Sequence, residues 1–202
     1  MSGYTLGTLM LAAGQSRRFD GIKQLATLQQ SSMLQQALEK LSGIDCDCRV
    51  VTLGANKATI ESAINLPANI FVKTVSDWQN GISASIKSGL EALEHCSHVL
   101  ILLADQPDIS AHQIEQLISL SRSNPKQIIC AHYAGKNAVP AIFPASDYAL
   151  LHSLQGDMGA GKHLNSPKYK ENVIPVALQS GATDIDTLQD LSLWQKQQKV
   201  NL

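Results

Sequence analysis

The residues best suited to chemistry lie near the start of the chain, where the apolar run Leu9-Met10-Leu11 opens into Ala12-Ala13-Gly14 and is followed by Arg17, Arg18 and Lys23. Ala12, Ala13 and Gly14 put no bulk between the backbone and a bound anion, so successive N–H groups can point at phosphate oxygens. Arg18 and Lys23 can neutralise the charge that those amides hold, which is the chemistry of a triphosphate cradle. The plainer alternative is a small β-to-α turn with a stray arginine beside it. A second candidate is Asp105, at the end of the most apolar run in the sequence, His98 to Ala104. A carboxylate there sits at the edge where open α/β sheets bind ligands; alternatively it caps the next turn together with Asp108 and Ser110. In the segment Trp78 to Leu90, Gly81 and Ser83 allow close approach and Ser85 offers a hydroxyl, although a serine-capped helix reads the same way.

The elements that must position these groups alternate along the chain. Strand-length apolar runs at 4–11, 49–53, 70–75, 98–105, 127–132, 138–143 and 172–178 are interleaved with helical patterns at 32–41, 56–64, 83–94, 110–120 and 187–199. That alternation is the sequence form of an α/β protein with a mostly parallel sheet. Ser31 or Ser32, Asn56 and Ser110 are the expected helix caps, and the run ending at Asp105, apolar on both faces, reads as a central strand. Gly89 inside a helical pattern costs about 1 kcal/mol relative to alanine and so points to close packing there. A chain of 202 residues suits a single domain, 1–202.

Composition excludes several classes. With 16% charged residues and a net charge of −1, no general field draws in nucleic acid or an anionic membrane. The apolar run from Leu6 to Ala13 is too short to span a bilayer, which takes about 20 residues. The opening Met1-Ser2-Gly3-Tyr4 carries no cationic leader, so a cytoplasmic protein is expected. Four cysteines, Cys46, Cys48, Cys96 and Cys130, follow no disulfide spacing. Cys46-Asp47-Cys48 has no His or Cys pair close by in sequence to complete a metal site, and the six histidines show no metal spacing. Gly156 to His163 lies one residue from a Walker phosphate loop, but His163 replaces the Ser or Thr and no strand precedes it.

The first segment resembles the Leu-Ala-Ala-Gly-x-Ser-x-Arg-Met-Gly-x-x-Lys signature of nucleotidyltransferases of the molybdenum cofactor cytidylyltransferase type. Phe19 and Asp20 stand where that family has Met and Gly, with Gly21 one place late. Further similarities follow in family order over nearly the whole chain. Gly81-Ile82-Ser83-Ala84-Ser85 resembles the Gly-Met-Ser-x-Ser segment, and Asp105-Gln106-Pro107 the Asp-Gln-Pro motif. Asn137 to Phe143 is similar to Gly-x-Pro-x-x-Phe, Gly156-Asp157-Met158-Gly159-Ala160 to Gly-Asp-x-Gly-Ala, and Asp184 to Leu191 to the Asp-Ile-Asp-Thr-Pro-Glu-Asp-Leu tail.

The resemblance implies a single three-layer αβα domain of the nucleotide-diphospho-sugar transferase (GT-A-like) type. It also implies CMP transfer from CTP to the terminal phosphate of molybdopterin or Mo-molybdopterin, with pyrophosphate released and the product passed to a target molybdoenzyme or its chaperone. Nucleotide binding would fall to Leu11, Ala12, Ala13, Gly14, Arg18, Lys23, Gly81, Ser83 and Ser85. Arg18 would take the β and γ phosphates and Lys23 the α-phosphoryl charge, with Arg17 facing solvent. Acceptor binding would fall to Gln106, Pro107, Pro140, Phe143, Gly156 and Asp157. Mg²⁺ would be held by Asp105 with Asp157 as second ligand; Asp186 either approaches the metal or caps the last helix, the latter slightly favoured. Ala13, where guanylyl-transferring relatives have glycine, favours cytosine. Other acceptors, GTP, or an oxidoreductase of the same fold are the alternatives, though no Gly-x-Gly-x-x-Gly supports the last.

Overall fold

The computed structural model describes residues 3–200, so Met1 and Ser2 of the opening segment lie outside the described residues. The strands are β1 (Leu6–Leu11), β2 (Thr27–Leu28), β3 (Ser31–Ser32), β4 (Cys48–Leu53), β5 (Phe71–Thr74), β6 (His98–Leu103), β7 (Ile128–Tyr133), β8 (Lys136–Pro144) and β9 (Val173–Ala177). The helices are α1 (Met33–Ser42), α2 (Lys57–Ala63), α3 (Ile82–Glu91), α4 (Ala111–Ser123), α5 (Tyr148–His152), α6 (Gly161–Leu164) and α7 (Leu188–Val200). Seven strands form one sheet in the order β5-β4-β1-β6-β8-β7-β9, and β2-β3 is a separate short hairpin. All pairings in the large sheet are parallel except those of β8, which runs antiparallel to both β6 and β7.

Alternation of side chains along β1 sorts the core into two layers. Leu6 and Met10 join Leu34, Leu38 and Leu41 of α1 and Ile114 and Leu117 of α4 on one face. Leu9 and Leu11 face Ile86 and Leu90 of α3, Tyr148 and Leu151 of α5 and Leu164 of α6 on the other. Gly89 lets α3 lie directly on β1: a Cβ there would fall 2.2 Å from Leu9 Cδ1. Phe19 is buried in a third, smaller cluster with Leu28, Met33, Ile185 and Trp194, which docks α7 beside the loop after β1.

Ser32 caps α1 through Gln35, and Ser110 and Gln113 cap each other reciprocally at the start of α4. Asn56 differs from expectation: it precedes α2 in a left-handed conformation, φ 56°, with no side-chain cap bond. The segment Gly156 to Ala160 follows a short helix and a turn, not a strand. No helix among the described residues is long and apolar enough to cross a membrane.

Candidate functional site

The two central strands β1 and β6 run parallel and end side by side, Leu11 opposite Leu103. Everything that follows them therefore emerges at one sheet edge. After β1 the turn is stitched from behind by Gln24, itself buried, whose Nε2 donates to the carbonyls of Ala12 (2.9 Å) and Gly14 (2.8 Å). The Ala12 N–H goes to Thr52 O, and Ala13 O accepts from Ala55. Among the described residues, the N–H groups of Ala13, Gly14, Gln15 and Ser16 donate to no protein acceptor. Fixed carbonyls and unpaired amides are what an anion-binding concavity needs. A Cβ built on Gly14 meets nothing within 4 Å, so that side of the turn is not filled by protein.

After β6, Asp105 faces this turn. Lys23 Nζ lies 2.6 Å from Asp105 Oδ2 and 3.0 Å from Asp186 Oδ1, and Arg18 reaches Asp186 Oδ2 at 2.8 Å. Burial alone would lower the Lys23 ammonium's pKa; the two carboxylates more than reverse that and raise it, so Lys23 stays charged. Asp105 Oδ1 is buried and has no hydrogen-bond partner. A desolvated carboxylate oxygen without a donor is costly unless something else faces it. With the Asp186 carboxylate nearby, the donor set is hard oxygen, which fits Mg²⁺ or Mn²⁺.

The backbone carrying Asp105 is held rigidly. Lys40 Nζ donates to the carbonyls of Pro107 (3.1 Å) and Ile109. Asp108 accepts from Trp194 Nε1 at 2.7 Å, and Ile185 N–H donates to Asp105 O at 3.1 Å. The last contact brings the segment 184–186 to the site.

The cavity between these parts holds about 360 Å³ and is lined by the turn from Leu11 to Arg17, Lys23, Trp78, Gly81, Ser85, Asp105 and Asp157, among others. Gly81, at φ +90°, is required by close approach: a Cβ there would sit 2.5 Å from Asp157 Oδ1 and from the Gly156 backbone. Ser83 N–H also donates to Gly156 O at 3.1 Å, so the loop 156–159 is seated on the start of α3. An adjoining hollow of about 180 Å³ shares Leu11, Ile82 and Leu103 with the first and adds Tyr133, Lys136, Val139, Gly159, Ala160 and Asp184.

The expected site residues divide accordingly. Leu11, Ala12, Ala13, Gly14, Lys23, Gly81, Ser85, Asp105 and Asp157 line one cavity. Arg18 does not: its side chain is 73% exposed and turned to Asp186, whereas Arg17, expected to face solvent, lines the cavity. Asp20 is exposed outside it, and Gly21 takes the positive φ of the loop. Ser83 is buried, its backbone N–H engaged by Gly156.

Four acceptor assignments are displaced. Phe143 is fully buried and pairs with Val99, because antiparallel β8 carries it down the sheet away from the ligand edge. Gln106 turns inward to Tyr133 OH and Gly181 O. With Pro107 and Pro140 it borders a different cavity of about 430 Å³ against α1. The carboxylate tied to Asp105 through Lys23 is Asp186, not Asp157. Asp186 does not cap α7 either, since Asp190 accepts from the N–H groups of Asp186 and Thr187 and binds the Thr187 hydroxyl. Asp105, Asp157 and Asp186 do not converge as a three-carboxylate cluster among the described residues. Trp78, Gln24 and Arg17 line the cavity without having been singled out for it. Trp78 is set there by a contact only the fold makes: it abuts Gly54, where a Cβ would fall 2.7 Å from Trp78 Cβ.

Residues 8–173 match the MobA-like NTP transferase domain. The chain is 28% identical to nicotine blue oxidoreductase of Paenarthrobacter nicotinovorans, over 91% of this chain and 93% of that protein. It is likewise 28% identical to purine catabolism protein PucB of Bacillus subtilis, over 95% and 96%. Among solved structures, Rv0371c of Mycobacterium tuberculosis superposes with a TM-score of 0.82 at 23% identity, over 96% of this chain and 98% of that one; the same protein has been crystallised with manganese. At that identity the likeness establishes the fold.

Proposed function

The chain belongs to the MobA-like NTP transferase family, and from that premise we propose that it moves CMP from CTP to the terminal phosphate of molybdopterin or Mo-molybdopterin, releasing pyrophosphate. The observation that carries this reading is Lys23, fixed between Asp105 and Asp186 directly beside a turn with four unpaired amides. A phosphate monoester, with a second pKa near 6, is already ionised at neutral pH. It needs no general base, only alignment with the α-phosphorus and relief of charge repulsion.

The amides of Ala13 to Ser16 hold the triphosphate, and Arg17 takes the position beside the β and γ phosphates expected of Arg18. Lys23 exchanges part of its carboxylate contacts for the α-phosphoryl oxygen and stabilises the charge developing there. Arg18 keeps Asp186 oriented from the rim. Asp105 and Asp186 are the residues that would hold a divalent cation, Mg²⁺ or Mn²⁺, which when bound supplies charge neutralisation between the phosphates. The acceptor enters through the hollow at Lys136, Val139 and Gly159-Ala160, with Lys136 as its anion contact. Ala13 narrows the turn by a methyl group, and Trp78 offers a face on which a base can stack.

A pyrophosphate-release assay over the four ribonucleoside triphosphates, with and without molybdopterin, tests this. Release confined to CTP and dependent on molybdopterin is expected; preference for GTP overturns the base assignment, and no release with any triphosphate overturns the activity. One relative's name supports a second reading, an oxidoreductase on the same fold. Saturable NAD(P)H binding by a chain that releases no pyrophosphate would favour it.

A further inference from the structure

At the sheet edge opposite the nucleotide cavity, Cys48 begins β4, while His95 and Cys96 occupy the turn between α3 and β6. In sequence Cys48 has no metal-binding partner nearby; the fold brings one from 47 positions on, placing His95 Nε2 3.2 Å from Cys48 Sγ. One donor atom from each of Cys48, His95 and Cys96 lies within 4.8 Å of the other two, the one such group of three among the described residues. A tetrahedral Zn²⁺, with bonds of about 2.3 Å to sulfur and about 2.0 Å to nitrogen, holds its donors roughly 3.5–3.8 Å apart; the Cys48–His95 pair is a few tenths of an ångström short of that, and the pairs with Cys96 lie within 4.8 Å.

We propose that Cys48, His95 and Cys96 form a binding site for one thiophilic d¹⁰ cation, Zn²⁺ or Cu⁺. Two thiols and an imidazole are the ligands such ions select over Mg²⁺ or Ca²⁺. Both segments are pinned to the same strand, which preorganises the donors. Asp47 exchanges bonds with Leu6, accepting its N–H at 2.7 Å and donating its own N–H to Leu6 O at 2.9 Å. Ser97 and Thr5 hold each other by N–H to hydroxyl bonds of 2.8 Å in both directions. Cys96 is buried and backs the site, whereas His95 is exposed and leaves an approach for the ion. Cys46 faces elsewhere, toward Thr8 Oγ1 and Cys48 O, so the fourth position falls to water or an added thiol.

The six residues of β4 or β6 put the site roughly 20 Å from the nucleotide end, too far to touch substrate. Its effect is to tie the α3–β6 turn to the start of β4.

The test uses the full chain, reduced and stripped with chelator, then titrated with Zn²⁺ or Cu⁺ against a chromophoric competitor, with Co²⁺ as a spectroscopic substitute. The expected result is one ion per chain and a thiolate-to-Co²⁺ charge-transfer band. Affinity should fall at least about tenfold in Cys48→Ser and in His95→Ala; both positions are at least partly accessible, so these variants should fold even if Cys96→Ser does not. Asp105→Asn, which alters the carboxylate site, should leave the affinity unchanged. Sub-stoichiometric binding of both ions, equal affinity in Cys48→Ser and His95→Ala, or a Cys48–Cys96 disulfide in protein acid-trapped on lysis would each overturn the proposal.

Discussion

Replacing Lys23 by methionine separates the two roles that its position combines. In the wild-type chain the ammonium neutralises Asp105 and Asp186, and Lys23 and Asp105 are only 12% and 22% exposed at their side chains. Breaking a fully buried pair by deleting one partner costs about 3–5 kcal/mol. Here Asp186 is 33% exposed and keeps Arg18, which reduces the expected loss to about 2–3 kcal/mol, or about 4–12 °C in Tm for a chain of this length. The two carboxylates left behind have lost their shared cation and repel each other, so Mn²⁺ or Mg²⁺ should raise the Tm of Lys23→Met by more than it raises that of the wild type. Turnover should nevertheless fall at least about 10²-fold, because the cation that remains at the carboxylates does not replace the donor at the α-phosphoryl oxygen. Asp105→Asn gives the contrasting pattern: turnover falls as far, but the metal-induced rise in Tm shrinks. Thermal unfolding with and without metal, alongside pyrophosphate release under saturating CTP and acceptor, reads both quantities. If Lys23→Met kept near-normal turnover, or if its metal-induced shift matched that of the wild type, Lys23 would not be the shared counter-ion of this site.

Gln24→Leu removes the two hydrogen bonds that hold the Ala12 and Gly14 carbonyls and should cost about 1–3 kcal/mol; KM for the nucleotide should rise more than kcat falls, and an unchanged KM would show that the turn is set by other contacts. Gly81→Ala forces a Cβ against Asp157 and Gly156 at φ +90°, with a stability loss of about 2–4 kcal/mol by thermal unfolding, whereas a change within about 0.5 kcal/mol would mean the two loops are not seated on one another. His98 is buried, with Nδ1 on Ser97 Oγ and Nε2 on Pro125 O, both at 2.9 Å. Burial lowers its pKa, the Pro125 bond only partly opposing that. The unfolded chain, titrating near 6.5, then binds more protons than the folded one, so stability declines as pH falls through 6.5 toward the lower folded value. Tm measured from pH 7.5 to 5.5 should drop more steeply for the wild type than for His98→Asn; parallel curves would remove His98 as the cause.

What the sequence made legible is what short-range physics governs. The apolar runs located the central strands, because a strand covered on both faces has no polar alternation to hide it, and Gly89 announced the helix-to-strand contact that a side chain would obstruct. The place of the candidate site was legible wherever a residue's backbone fixes its position: Ala12 to Gly14 and Asp105 follow the ends of adjacent parallel strands and have nowhere else to go. Assignments failed where direction was decided by a partner far along the chain. Phe143 was carried into the core by the reversal of β8, and Gln106 was drawn inward by Tyr133 and Gly181. Arg18 was captured by Asp186, 168 positions away, while its neighbour Arg17 was left to face the cavity. The same distance argument explains Asp186 itself: the Thr187-to-Asp190 cap freed its carboxylate, and the Ile185 bond to Asp105 O, with Ile185 and Trp194 packed beside Phe19, brings that stretch under Lys23. Anchoring by α7 is therefore part of the candidate site's chemistry, since loosening the Phe19 cluster would withdraw one of the two carboxylates that share the Lys23 ammonium.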